Sequence, residues 1–262
     1  MPENQVDSSD RRCVLYHNTH IFSDDEDMAT LRDLYIIDKT NTATLNDEIR
    51  AYNCAKEMTD KFSKIDGSLM RESCGIINDV LFGTDTSPWL IFIKIVSNYV
   101  DWLYTHSINV AFITLILAQL LNYKKESLNN LCLGALLHDV GKLMIPRSII
   151  QKPGKLSNQE MSQMKGHCEL GFNLVKGFDL PKESTDIILQ HQERLDGSGY
   201  PYGLRKDRIS EGSQIVMVAD VLDAITSYRP YKKTQTLDVA IESINSDEAK
   251  FSKEIISLLS SF

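Results

Sequence analysis

The longest apolar run of the chain, from Val110 to Leu121, most constrains how the chain can fold. Only Thr114 and Gln119 interrupt it. A helix that is apolar all round has to be buried by neighbouring elements. The run by itself is too short to cross a bilayer. We therefore expect a core helix here and no membrane-spanning segment.

Helical patterns surround this run. From about residue 44 onward, apolar residues recur at helical spacing, as in "TLNDEIRAYNCAKEMTDKF". Ser157 and Glu160 have the spacing of a capping box, which predicts a helix from there to about Val175. Ser127 is predicted to cap a helix that ends at "HDVGK", where Gly141 terminates it. The main domain is therefore predicted to be all-α.

The N-terminal residues have a different pattern. Two short β-like runs, "CVLYHNTHIF" and "DLYIID", flank a polar helix-like stretch. We expect residues 1–43 to form a small α/β or irregular extension, with the character of a shortened accessory domain. Residues 44–100 are then a helical lead-in, and residues 101–262 form the main domain.

Charge and cysteine content limit the function classes. The net charge of −8 argues against a nucleic-acid polymer as partner, because such binders carry a basic face. A local basic pocket for a small phosphate ligand is still compatible with this charge. The five cysteines include no CxxC pair, and their odd number predicts reduced thiols in a cytoplasmic protein.

Four histidines of the main domain lie on four different predicted helices, and a fifth helix carries an aspartate within an apolar stretch. Each histidine alone could be a hydrogen-bonded core residue. Together with the aspartate next to one of them, they are ligands that suit Fe, Mn or Zn. Six ligands are too many for one hydrolytic ion that keeps open positions, and they suit two ions bridged by a carboxylate. The six are His106, His138, Asp139, His167, His191 and Asp220.

Five motifs occur in a specific order from about Asp101 to the C-terminus: "HSINVA", "HDVGK", "KGHCELG", "HQERLDGSGYP" and "ADVLDAITSYRPYKK". In this order they resemble the HD-GYP branch of the HD superfamily of metal-dependent phosphohydrolases. Members of that branch are bacterial phosphodiesterases that hydrolyse cyclic di-GMP. The resemblance implies an HD-type helical bundle.

The resemblance also implies how the ligands divide. One ion would take His106, His138, Asp139 and Asp220, and the other would take His167, His191 and the bridging Asp139. Fe or Mn is expected. Two ions about 3.5–4 Å apart can share a hydroxide that attacks phosphorus. Asp139 and Lys142 are the expected catalytic residues, since Lys142 would stabilise developing charge.

Substrate contacts follow from the same resemblance. Arg229 and Lys232 match positions that contact substrate phosphate in similar proteins, and arginine can make two hydrogen bonds to it. Lys232 could equally be an ordinary surface charge. The loop that ends in Tyr200 would form one lip of the cleft, with Asp196 holding it by hydrogen bonds. A purely structural turn is the alternative for this loop.

Two positions depart from the family pattern. The usual His-His-Glu is here "HQE", with Gln192 in place of the second histidine. Trp102 stands where some members have a glutamate. Both family residues would serve an additional metal position, so we expect two ions and not three.

The expected function is hydrolysis of cyclic di-GMP to pGpG, GMP or both, by the hydroxide shared between the two ions. Another cyclic dinucleotide or a mononucleotide is an alternative substrate, and a di-iron oxygenase is an alternative reaction. Basic Lys142, Arg229 and Lys232 favour phosphate. A non-catalytic cyclic-dinucleotide sensor or adaptor is suggested by Gln192 alone. A homodimer or a signalling-protein partner is compatible with each of these functions.

Overall fold

The computed structural model describes residues 42–82, 88–228 and 233–262. Within these ranges the chain is helical and contains no strand, apart from an isolated bridge between Asp196 and Arg205. This confirms the all-α prediction. The proposed N-terminal extension, up to residue 41, lies outside the described residues, as do Arg229 and Lys232.

The described residues form α-helices of very different lengths, from four to 20 residues. They are α1 (Thr42–Lys61), α2 (Gly67–Phe82), α3 (Leu90–Tyr99), α4 (Asp101–Leu120), α5 (Lys125–Leu137), α6 (Arg147–Ile150), α7 (Asn158–Lys165), α8 (His167–Val175), α9 (Lys182–Gln190), α10 (Glu211–Thr226), α11 (Leu237–Ser246) and α12 (Lys253–Leu258). Short 3-10 helices occur at Val140–Met144, Lys206–Arg208, Glu248–Lys250 and Leu259–Ser261.

Helix α4 is the core helix of the bundle. It packs against α1, α2, α3, α5 and α10, and 83% of its most apolar window is buried within the protein. The prediction of a buried helix is confirmed. The apolar run from Val110 to Leu121 is shorter than the helix that contains most of it, so its length does not exclude a membrane-spanning helix. With 20 residues α4 is long and apolar enough to cross a membrane by composition alone. Its burial by other helices, and not its length, identifies it as the core helix.

The segment around Gly141 differs from the prediction. Helix α5 begins at Lys125, so Ser127 lies inside it and is no cap, and it ends at Leu137 before the His-Asp pair. Gly141 belongs to the 3-10 helix and does not terminate α5. A Cβ atom at Gly141 would lie 1.9 Å from the His167 carbonyl oxygen. The glycine therefore allows the 3-10 helix to touch the start of α8.

The capping box at Ser157 is confirmed. The Glu160 amide donates to Ser157 Oγ at 3.2 Å, and the Ser157 amide donates to Glu160 Oε2 at 2.7 Å. A single helix to Val175 is wrong, because α7 ends at Lys165 and α8 starts at His167. The break places the His167 side chain at the first position of a new helix.

Replacing Gly141 by alanine should destabilise the protein by about 3 kcal/mol, because backbone atoms of His167 and Gly171 in α8 leave no room for the added methyl group. Gly75 is the control, since a Cβ there meets nothing within 4 Å and the residue lies within α2. Gly75→Ala should be stabilising by about 0.5–1 kcal/mol. Denaturant unfolding of both variants is the measurement, and equal stabilities would contradict this packing account.

Candidate metal centre

Four buried histidines reach one point from four parts of the fold. His106 lies in the second turn of α4, and His138 directly follows α5. His167 opens α8, and His191 directly follows α9. Because helix ends and a core helix carry these side chains, the surrounding packing fixes their positions.

The carboxylate of Asp139 lies between the histidines. Its Oδ2 atom is 3.3 Å from His138 Nε2 and 3.6 Å from His106 Nε2. Its Oδ1 atom is 3.3 Å from His167 Nε2 and 3.7 Å from His191 Nε2. Each carboxylate oxygen thus faces one pair of imidazoles, which is the arrangement that a bridging ligand requires.

The other ring nitrogen of each histidine meets an oxygen that can only accept a hydrogen bond. Nδ1 must then carry the proton, and in a neutral imidazole Nε2 is left with a free electron pair. The four Nδ1 contacts are His106 to Asp223 Oδ2 (2.6 Å), His138 to Ala135 O (2.6 Å), His167 to Met164 O (2.7 Å) and His191 to Ile188 O (3.1 Å).

These tautomers leave electron pairs that face one another. His167 Nε2 and His191 Nε2 are 3.0 Å apart, and neither nitrogen has a proton to share. His138 Nε2 and Asp139 Oδ1 are buried without a hydrogen-bond partner. Two imidazoles that bind one ion at about 2.1 Å, at a right angle, also lie about 3 Å apart. The residues therefore fit divalent metal ions.

The protonation states agree with this role. Burial by itself raises the pKa of Asp139, but the opposing influences, of which the Lys142 ammonium that donates a hydrogen bond to Oδ2 is the largest, outweigh burial and hold that pKa well below its usual range. Burial also raises the pKa of Asp220, but its contact with His106 outweighs burial and holds that pKa below its usual range. Burial lowers the pKa of His167 to about 3. At neutral pH the carboxylates are therefore charged and the imidazole of His167 is neutral.

Gln192 occupies the edge of this centre. Its amide nitrogen donates a hydrogen bond to Asp220 Oδ2 at 2.8 Å. The other Asp220 oxygen, Oδ1, lies 3.1 Å from His106 Nε2. The ring of Trp102 lies 6.4 Å from that of His106, measured between centroids. Gln192 therefore orients a carboxylate of the centre.

A cavity of about 210 Å³ opens beside the centre. Its lining includes one of the predicted ligands, two lysines and two aromatic residues, and among the lining residues are Trp102, Lys142, Lys152, His167, Gln192 and Tyr200. The rings of Tyr200 and His167 are 6.2 Å apart. The described part of the chain thus brings together the six predicted ligands, Lys142 and Tyr200.

The loop between α9 and α10 is held by two carboxylates. Asp196 Oδ1 accepts from the amide and the hydroxyl of Ser198, at 2.9 and 2.7 Å, as predicted. The fully buried Glu193 accepts from the amides of Tyr202 and Leu204, at 2.7 and 2.8 Å. Gly197 has a φ of 82°, a conformation that favours glycine. These contacts fix the backbone on either side of Tyr200.

Sequence reasoning missed two residues of this region. Glu193 was treated only as part of the "HQE" pattern, although it closes the loop. Cys168 is a fully buried free thiol whose Sγ lies 3.5 Å from His167 Nε2, and it clusters with His167 and His191. Its position directly after His167 was the signal available in the sequence.

The family described as "HD domain" matches residues 91–255, which is more than half of the chain. The cyclic di-GMP phosphodiesterase response regulator RpfG of Xanthomonas campestris is 43% identical over 128 residues, which are 48% of this chain and 34% of that protein. The 3'3'-cGAMP-specific phosphodiesterase 3 of Vibrio cholerae is 34% identical over 150 residues, 57% of this chain and 33% of that protein. The chain thus spans about a third of the length of these two curated relatives.

A solved structure has a similar fold. Bd1817, an HDG"Y"P protein from Bdellovibrio bacteriovorus, matches with a TM-score of 0.55 and 20% sequence identity. The match covers 88% of this chain and 76% of that one. At this identity the similarity supports the helical architecture alone.

Lowering the pH should destabilise the metal-free protein. The pKa of His167 lies near 3 in the folded state and near 6.5 when unfolded, so between these values only the unfolded chain gains a proton. Stability present at pH 7 is therefore lost as pH falls, by about 2 kcal/mol at pH 5 for this group. Denaturant unfolding in the presence of a chelator measures the loss. A His167→Gln variant should show a smaller loss, and equal pH dependence in both proteins would contradict the account.

Proposed function

Because this chain belongs to the HD-GYP branch of the HD domain family, we propose that it is a metal-dependent phosphodiesterase that hydrolyses cyclic di-GMP to pGpG, GMP or both. The observation that carries the proposal is the Asp139 carboxylate, whose two oxygens face two separate pairs of imidazole nitrogens. The cavity beside it, with its lysines, suits an anionic substrate.

The ligands divide into two proposed metal positions. The first consists of His106, His138, Asp139 and Asp220, and the second of His167, His191 and the shared Asp139. Iron or manganese suits this mixture of imidazole and carboxylate ligands. Bound divalent ions would polarise the phosphate and lower the pKa of the attacking water.

The side chains of this protein then have distinct roles. Asp139 and Asp220 supply negative charge that the ions offset, and the hydrogen bonds at Nδ1 keep the four imidazoles in the required tautomer. Lys142 lies at the border between Asp139 and the cavity, where its ammonium can stabilise charge on the phosphate oxygens. Tyr200 forms one wall against the substrate, and we propose Arg229 and Lys232 as further phosphate contacts.

A second candidate substrate is 3'3'-cGAMP, which the similarity to a cGAMP-specific enzyme of Vibrio cholerae favours. Both substrates present the same phosphodiester chemistry and differ in one base. Incubating the purified protein, loaded with Fe or Mn, with each dinucleotide and analysing the products tests both. Faster turnover of cyclic di-GMP is expected, and absence of any hydrolysis with either substrate would contradict an enzymatic function.

Substitutions at Asp139 and Lys142 should have different effects. Asp139→Ala removes the ligand shared by both positions, so the protein should lose activity and at least part of its metal. Lys142→Ala should keep its metal, while turnover falls by about 10²–10³ because one electrostatic stabiliser of the transition state is lost. Metal analysis and turnover of both variants are the measurements. Equal loss of metal in the two variants would refute this division of roles.

Restoring the family histidine tests the role of Gln192. In the unaltered protein the Gln192 amide already orients Asp220, so a working enzyme is expected without a histidine there. Gln192→His should change rate or metal preference only modestly, because Trp102 still supplies no ligand. Activity assays with Fe and Mn compare the two proteins. An inert unaltered protein together with an active Gln192→His variant would replace the enzyme by a sensor.

A further inference from the structure

Lys61 connects the metal centre to a helix that lies outside residues 91–255, the family-matched region. It is the last residue of α1, and its side chain is partly buried against the end of α10. Its Nζ atom lies 3.2 Å from Thr226 Oγ1 and 3.3 Å from Ser227 Oγ. Because these contacts join residues more than 160 positions apart, they are a product of the tertiary fold.

The Lys61 ammonium determines the direction of the hydrogen bonds between Lys61, Ser227 and Asp223. An ammonium group can only donate, so the Ser227 hydroxyl accepts from Lys61. That hydroxyl then donates its own proton to Asp223 Oδ1 at 2.5 Å. The second oxygen of Asp223 accepts from His106 Nδ1 at 2.6 Å. The hydrogen bonds thus connect Lys61 through Ser227 to the Asp223 carboxylate, which accepts from both sides and holds His106 in the tautomer whose Nε2 faces the metal centre.

Charge supports the same connection. Asp223 is fully buried, and a buried carboxylate is costly unless donors and a positive charge compensate it. Asn109 Nδ2 donates to Asp223 Oδ1 at 2.8 Å, but this amide is neutral. The Lys61 ammonium, one hydroxyl away, contributes positive charge on that side. Loss of the Lys61 ammonium would weaken the hydrogen bond between Asp223 and His106.

Helix α1 is also fixed at its other half. Arg50 donates to the carbonyl oxygens of Ser97 at 2.9 Å and Asp101 at 3.2 Å. Its guanidinium lies 4.6 Å from the centre of the Tyr104 ring. Ser97 lies near the end of α3, whereas Asp101 and Tyr104 lie at the start of α4, the helix that carries His106. The position of Lys61 is therefore set by a helix clamped to the same element as the histidine.

We propose that Lys61 is a positioning residue for His106, acting through Ser227 and Asp223, so that helix α1 is part of the metal centre. The proposal rests on the proposed function only where His106 is a metal ligand. It predicts that changes at Lys61 alter the first metal position, which includes His106, and leave the second, which includes His191, unchanged.

Titration of the metal-free protein with Mn²⁺ separates these effects. Lys61→Met should weaken one of two binding steps by about tenfold, the size typical of lost partners of metal ligands. Lys61→Arg should retain the affinity, because its guanidinium also donates and carries charge. Lys56→Met, at an exposed position of the same helix, is the control. A His167→Ala variant, which lacks a ligand of the second position, identifies the step that belongs to His106.

A readout without metal keeps the test independent of the proposed function. The His106 Nδ1 proton, hydrogen-bonded to Asp223, should give a downfield proton resonance in the metal-free protein. Lys61→Met should shift or broaden it, and Lys61→Arg should preserve it. Ser227→Ala should reproduce the effect and add little to Lys61→Met, because the two residues act in one chain.

Three results would overturn the proposal. One is an unchanged His106 resonance in Lys61→Met. Another is equal weakening of both metal steps together with a lower melting temperature, which would indicate a general structural role. The third is an effect of Lys56→Met as large as that of Lys61→Met. If the unaltered protein binds no Mn²⁺, the proposed function fails. The His106 Nδ1 proton resonance of the metal-free protein then decides by itself whether Lys61 positions His106.

Discussion

The carboxylate of Asp139, surrounded by four buried imidazoles, is the interaction on which the rest of the structure depends. A buried carboxylate requires positive compensation, and here Lys142 supplies one charge directly. The imidazoles cannot supply the rest, because their Nδ1 protons are directed away toward other oxygens. Bound metal ions would satisfy both the carboxylate and the free electron pairs. The close contact at Gly141 brings the Asp139 segment against α8 and so assembles this centre.

Much of the fold could be predicted from periodicity and motif order. The helical spacing after residue 44 and the apolar run in α4 are local signals, and they indicated a helical bundle with a buried helix. The ligand set followed from motifs that resemble a known family. The exact helix ends could not be predicted in this way, as Ser127 and the break at Gly166 show. Several nearby residues have similar capping preferences, and tertiary contacts select among them.

Other parts of the site depend on contacts between distant segments. Glu193 binds backbone amides nine and eleven residues later, and Lys61 reaches Thr226 across 165 positions. Neither residue has a periodicity or a spacing that marks its partner. The departure at Gln192 could be read from the sequence, whereas its hydrogen bond to Asp220 required the geometry. That bond shows how an amide at this position can support a carboxylate ligand without binding metal.

Metal content is the most direct test of the central claim, which is that Asp139 bridges two ions and that Gln192 and Trp102 leave no further position. The protein would be purified without oxygen, and its iron and manganese would be counted per chain by elemental analysis. The account predicts two transition-metal ions per chain. One ion, or three, per chain would contradict it.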